Sequence, residues 1–228
     1  MRVVRILAEG LTASFRYPHL VQGVQPTYEM PPPATIYGHV CSAVGELIDP
    51  TLTRFAYHFS FEARFFDYEH LHFFGKQPKM NPFNREMLFK PRLTLYLDNE
   101  TLVDYFRHPR FAVVLGRAQD LMTYTQIDVI ELQHDNRAFY SGTLLPLNLA
   151  PAIGGRFVAA TMPRFIDEKR QTNWGQYALL PDSTKPPIYP SPENFHVPLD
   201  EFSILVDAEV PHPYIKGIHR GVIWHSWI

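Results

Sequence analysis

Between residues 54 and 66 the chain reads RFAYHFSFEARFF, and apolar and polar positions alternate along it. Phe55, Tyr57, Phe59, Phe61, Ala63 and Phe65 fall on one face; Arg54, Ala56, His58, Ser60, Glu62 and Arg64 fall on the other. A period of two predicts a β-strand with one aromatic and one mostly polar face. Residues 3–16 (VVRILAEGLTASFR) are rich in apolar and β-branched side chains and predict an earlier strand. A later strand is expected at about 87–97 (MLFKPRLTLYL), with Phe89, Leu93, Leu95 and Leu97 inward and Lys90, Arg92, Thr94 and Tyr96 outward. RFAVVLG, 110–116, predicts a fourth.

Two segments switch to helical spacing. After three prolines, 31–33, the positions Tyr37, Val40, Cys41, Val44, Leu47 and Ile48 make one apolar face of a helix over about 32–48. Proline in the first turn of a helix loses no hydrogen bond. A second stripe of this helix is small, Gly38, Ser42 and Gly45, and allows another backbone to come close. The simpler reading of that stripe is close packing of helix on sheet, and the two are compatible. NETLVDYFRH, with Asp98 or Asn99 as cap, predicts a short second helix. The order β-α-β-β-α-β predicts an α+β fold of ferredoxin-like (RNA-recognition-motif-like) type over residues 1–125. Residues 126–228 read as an irregular β-rich region packed on it, with strand-like runs near 126–133, 156–161 and 202–210 and an extended surface segment at 181–198 holding six prolines.

Composition narrows the function classes. The 228 residues are 46% hydrophobic, enough for a substantial core, and carry a net charge of −2, so any nucleic-acid binding must rest on a local patch. Cys41 is the one cysteine, which excludes a disulfide framework and fits a reducing cytoplasm. No signal peptide or membrane-length apolar run is expected. Charge is uneven. Lys76, Lys79, Arg85, Lys90 and Arg92 face only Glu86 between residues 75 and 92. This segment joins two predicted strands and reads as an extended basic finger, with Met80 and Phe83 as apolar groups at its tip; the alternative is a solvated loop. An acidic run at 193–209 and the tail with Trp224 and Trp227 read as partner surfaces.

PTYEMPPPATIYGHVCSAVGE, NREMLFKPRLTLYL and VVLGRAQDL, in that order and spacing, resemble the CRISPR-associated "Cas five" family, most like its type I-B branch. The resemblance covers residues 1 to about 125. It implies a ferredoxin-like domain whose first helix and basic hairpin thumb, about 75–92, grip the 5′ handle of the guide RNA (crRNA) in a type I Cascade complex. The implied partners are crRNA, the repeating backbone subunit, the large subunit, the crRNA-processing endonuclease and target DNA, with no membrane. No cofactor and no metal are expected.

Chemistry then nominates the RNA-facing residues. The helix N-terminus, with Thr35, offers N–H groups and positive dipole to a phosphate. Arg16, Tyr17, His19 and Tyr28 flank the proline loop and offer phosphate contacts and stacking surfaces; the alternative is that Tyr17 and Tyr28 edge the core. Lys76, Lys79, Arg85, Lys90 and Arg92 supply charge on the finger, and Phe83 a wedge at its tip. Arg117 and Gln119 follow Gly116, and Arg117 either forks onto a phosphate or pairs with Asp120.

The alternative function is a metal-independent endoribonuclease that processes precursor crRNA. The processing relatives use a tyrosine at the end of the first helix and a Lys-His pair. This chain has Leu47 and Ile48 at the helix end and no Lys-His dipeptide, so a non-catalytic subunit is expected. His70 and His72 share a strand face, with His58, Glu62 or Asp67 as conceivable third ligands. Such pairs are more often ordinary surface residues than a metal site. Cys41 faces a core, which makes it a poor nucleophile.

Overall fold

The computed structural model describes residues 1–20, 23–74, 79–153, 156–189 and 204–228. Four strands build the central sheet: β1 (Arg2–Gly10), β2 (Phe55–Ser60), β5 (Arg92–Leu97) and β6 (Met122–Glu131). Two further strands, β3 (Ala63–Phe73) and β4 (Lys79–Phe89), form a long antiparallel hairpin between β2 and β5. Helix α1 (Pro33–Val44) lies between β1 and β2, and α2 (Val103–Arg107) between β5 and β6. The sheet order is β2-β5-β1-β6, antiparallel throughout.

The alternation that predicts β2 holds for its aromatic face: Phe55, Tyr57 and Phe59 are buried with Val4, Ile6, Leu95 and the α1 residues Ile36, Tyr37 and Val40. The expected polar face is not solvated. Ala56, His58 and Tyr96 are buried as well, because the C-terminal region packs over that side of the sheet with Leu205 and Val222. Tyr96, expected to point outward, donates its hydroxyl to Asp207 at 2.8 Å. The single strand expected over 54–66 breaks at Phe61 and Glu62, and the one over 87–97 breaks at Lys90, whose φ of 49° turns the chain from hairpin to sheet.

Helix α1 stops at Val44. Gly45 takes a left-handed φ of 98° and its N–H closes on Cys41 O, so Leu47 lies beyond the helix and is exposed. Asn99 caps the turn before α2, as its sequence position suggests. Residues 110–116 are not a strand. They run as a loop tied to α1 by Arg110 N–Ala43 O and Phe111 N–Ser42 O, and β6 supplies the fourth strand. The central sheet therefore extends past residue 125.

The rest of the chain is strand-rich. Thr143–Pro146, Val158–Ile166 and Thr172–Leu180 form one sheet; a five-stranded sheet includes Leu205–Pro211 and His219–Val222. In the proline-rich stretch residues 182–185 are exposed, as a surface segment would be, whereas Ile188–Tyr189 pairs with Ala138–Phe139 and Tyr189 is buried; residues 190–198 lie outside the described residues. The acidic run is likewise described only from residue 204, where Asp207 is buried and Glu209 binds Arg5. The tail is core. Trp227 is fully buried, stacks on Phe55 and donates its indole N–H to Pro33 O at 2.9 Å. Trp224 is half-buried beneath the Arg54 guanidinium.

Among the described residues no helix is long and apolar enough to cross a membrane.

Candidate functional site

Residues 12–20 and 23–28 lie against the hairpin. Thr12–Ala13 pairs antiparallel with Phe89 and Leu88, and Val24–Gln25 pairs parallel with Asn84 and Arg85. Thr27 locks this turn: its hydroxyl accepts from Phe15 N at 2.7 Å, and its own N–H donates to the Glu86 carboxylate at 3.0 Å. Arg16, bridged to Thr27 through the backbone, is left exposed at the rim, without an ion-pair partner among the described residues.

Below Arg16 opens a cleft of about 370 Å³, walled by the start of α1 (Ala34 and Thr35), Arg85 of β4, Gly116 and Arg117, and Pro163 and Ile166 of the C-terminal region. Four of the sequence-nominated residues, Arg16, Thr35, Arg85 and Arg117, thus converge on one cavity from four separate stretches of chain. The helix end there has no side-chain cap, and Thr35 N and Ile36 N both turn back to Pro32 O. Proline 33 has no N–H, so Ala34 keeps the open first-turn donor. A short apolar side and a helix dipole make this end fit for an anion.

The three guanidiniums differ. Arg85 donates its Nε to Glu69 at 2.8 Å and lies over the Phe83 ring. Arg117 grips the buried Asp120 through Nε at 2.9 Å and Nη2 at 2.8 Å, and also reaches Glu69. The hydrogen bonds that Arg117 donates to Asp120 are the main cause of its raised pKa, against the opposing cost of burial. Of the two readings for Arg117, pairing with Asp120 is the one found. It still presents an edge to the cleft, as a positioned donor rather than a free one. Arg85 and Arg117 are thus met by Glu69 and Asp120, with Asp67 also acting on Arg117, whereas Arg16 has no ion-pair partner among the described residues.

Gly116 has φ +103°, and a Cβ there would sit 2.7 Å from Ser14 O. Replacing Gly116 with Ala is expected to cost ~1–3 kcal/mol and to shift the Arg117 backbone; a urea midpoint unchanged from wild type would show that the turn tolerates a side chain.

Other nominated residues lie elsewhere. Tyr28 is fully buried and donates its hydroxyl to Thr161 O at 2.7 Å, so it belongs to the core and offers no stacking face. Tyr17, half-buried, lies 3.7 Å from the Tyr28 ring centroid and 5.7 Å from exposed His19. Gln119 is exposed on the loop before Asp120. Phe83 is not at a tip. It is buried midway along the hairpin, opposite Glu69, so its expected role as a wedge falls away. Lys76 lies outside the described residues; Lys79 is exposed near the far end.

The finger itself is longer and less basic than its sequence segment suggests, because β3 brings carboxylates that the count over 75–92 omits. Glu69 takes Arg85, while Glu62 takes Lys90 at 3.0 Å and, with Glu9, Arg92 at 3.4 Å. Lys90 and Arg92 sit at the hairpin base, away from its end. The small stripe of α1 also divides: Gly45 packs against Arg110, whereas a Cβ on Gly38 would meet nothing within 4 Å. Buried Cys41 has a raised pKa from desolvation. His58 is buried on the sheet and His70 and His72 are on the hairpin, and no group of three metal-ligating side chains occurs among the described residues.

No family profile matches the sequence, and no curated protein matches it. Solved structures do. A chain of a CRISPR RNA-guided surveillance complex superposes with a TM-score of 0.52 at 13% identity, over 82% of this chain and 91% of that one. A CRISPR protein from Archaeoglobus fulgidus gives 0.47 at 12% identity, over 82% and 90%. A chain of the type III-B Cmr-beta complex bound to cognate target RNA gives 0.45 at 10% identity, over 79% and 84%. What this chain shares with the first of these is its fold, a strand-rich α+β arrangement of several sheets.

Proposed function

We propose that this protein is a non-catalytic subunit of a type I CRISPR effector, that its central sheet with α1 and α2 is a ferredoxin-like domain, and that its cleft holds the 5′ handle of a guide RNA. The sheet order β2-β5-β1-β6, with a helix in each crossover, is what supports the fold reading. The observation that carries the function is the convergence of an uncapped helix N-terminus, the unpaired Arg16 and two positioned guanidiniums on one cleft. Phosphate is the ligand such donors fit. Its ionisable lining is arginine, which stays protonated and does not exchange protons near neutral pH; this supports binding over RNA cleavage.

The test is to co-express the protein with the products of its own operon and sequence the 5′ ends of any retained RNA. A single defined end is expected, and no cleavage of repeat RNA by the purified protein in the absence of magnesium. Random RNA ends, or specific cleavage, would overturn the proposal. Arg16→Ala is expected to leave the fold intact, weaken RNA retention and reduce the salt slope of binding by about 0.7, the share of one phosphate on a single strand. A slope equal to wild type would remove Arg16 from the interface.

A further inference from the structure

The hairpin has two unlike faces. Directly opposed residues of an antiparallel pair share a face. Asp67 opposes Arg85, Glu69 opposes Phe83, and Phe73 opposes Lys79, so the face that adjoins the cleft carries Asp67, Glu69, Lys79 and Arg85. On the other, Phe66, Tyr68, His70 and His72 oppose Glu86, Asn84, Pro82 and Met80. From Tyr68 outward the described residues of this second face include no Lys, Arg, Asp or Glu. Its aromatic rings form a ladder along β3: Tyr68 to His70 at 5.3 Å, His70 to His72 at 6.1 Å, and His72 to Phe74 at 6.3 Å. It is open to solvent, with Phe66 62%, Tyr68 64%, Phe74 93% and Met80 58% exposed. A contiguous apolar surface of this kind marks an interaction site.

A second observation concerns the backbone. Among the described residues β3 pairs with β4 alone, so the outer edge of an eleven-residue strand presents its N–H and C=O groups unpaired. Such an edge is a template for another strand.

We propose that β3 receives an extended segment of a partner protein, added as a strand along its outer edge, with uncharged apolar side chains at alternate positions laid beside the aromatic ladder. Backbone hydrogen bonds supply the grip and the ladder the selectivity. Nucleic acid fits the outer part of this face poorly: from Tyr68 outward its phosphates meet no cation among the described residues, and the one guanidinium on this face, Arg64 at the hairpin base, is paired with Glu29 and Glu86. The proposal takes the cleft as the RNA site from the functional reading above, but its own test does not depend on RNA.

The protein is co-expressed with each product of its operon in turn, and the amides of residues 63–73 are followed by hydrogen exchange in the free protein and in any complex. Amides of β3 that point away from β4 should exchange at least tenfold more slowly in the complex. Phe66→Ser, Tyr68→Ser and Phe74→Ser, all at exposed positions, should weaken that complex at least tenfold while leaving RNA retention and the urea midpoint of the free protein unchanged. Complex formation without protection of the β3 edge overturns strand addition. Loss of RNA retention in the serine variants, with assembly kept, assigns the ladder to nucleic acid and overturns the proposal. So does a concentration-dependent dimer of the protein alone that the same variants abolish. If no RNA is ever retained but the protection and its loss are seen, strand addition stands and the RNA reading falls.

Discussion

Asp207→Leu is expected to destabilise the protein by roughly 3–5 kcal/mol, the range for removing one partner of a buried ion pair. Asp207 is buried under the central sheet, where it receives Arg5 Nη1 at 3.1 Å and the Tyr96 hydroxyl at 2.8 Å. Arg5 is buried too. Burial works to lower its pKa, yet the hydrogen bonds it donates to Glu209, Asp207 and Asp128 outweigh this and hold it raised. Taking away Asp207 leaves the guanidinium dependent on the outlying carboxylates of Asp128 and Glu209, and leaves Tyr96 without its acceptor. The double variant Arg5→Met with Asp207→Leu should recover part of the loss, since an apolar pair of similar volume removes the desolvation cost along with the attraction. Urea denaturation of the three proteins decides it. An Asp207→Leu midpoint equal to wild type would mean that this cluster contributes nothing to holding the C-terminal sheet on the central one.

Acid should weaken the fold well before its carboxylates titrate. His225 is buried beside Phe55 and Tyr177, with Nε2 at 2.9 Å from Leu144 O, an arrangement in which the ring donates. Burial pushes its pKa from the ordinary 6.5 down to about 4, against the opposing pull of the carbonyl. The unfolded chain therefore binds a proton between about pH 6.5 and 4 that the folded one refuses, and stability rises with pH through that window. The contribution is complete above 6.5 and lost on the way down to 4, a difference of roughly 3 kcal/mol. Burial also lowers His39 and His58, which act in the same direction. Asp182, held at about 2 by His58 and Ser141 despite its own burial, acts only at lower pH. His225→Gln keeps an N–H donor and should flatten the profile between pH 6.5 and 4. Equal wild-type stability at pH 7 and pH 5 would show that the imidazole finds water in the folded state.

Much of the central sheet was legible because its signals are local. Alternation fixes β2, the prolines fix the start of α1, and Asn99 caps its turn. The fourth strand was not. RFAVVLG has strand composition, but Arg110 and Phe111 are captured by carbonyls at the end of α1, and MTYTQIDVIE pairs with β1 instead. Burial of the sheet's second face was equally hidden, since nothing near His58 or Tyr96 announces that residues beyond 200 will cover them. The candidate site was half legible. Arg16, Thr35, Arg85 and Arg117 could be nominated by residue type; their gathering in one cleft, and the partnering of two of them by Glu69, depend on the strand facing β4. Tyr28 and Phe83 failed for one reason: an aromatic side chain beside basic residues reads the same whether it faces a ligand or a core. The aromatic ladder did have a signal in sequence, the alternation of Phe66, Tyr68, His70, His72 and Phe74, which reading the two histidines as ordinary surface residues passed over.

The bond from Trp227 to Pro33 joins residues 194 positions apart. That contact sets a timetable for the molecule during synthesis. The carbonyl of Pro33 is made early, yet the indole that covers it is made 194 residues later. β1 likewise waits more than a hundred residues for β6, and long-range pairing of this kind forms slowly. Until then a nascent chain carries an open aromatic surface. Ribosome stalling or proteolysis near residue 220 would leave a product with every cleft-lining residue present but the Pro33 carbonyl and the Phe55 ring uncovered.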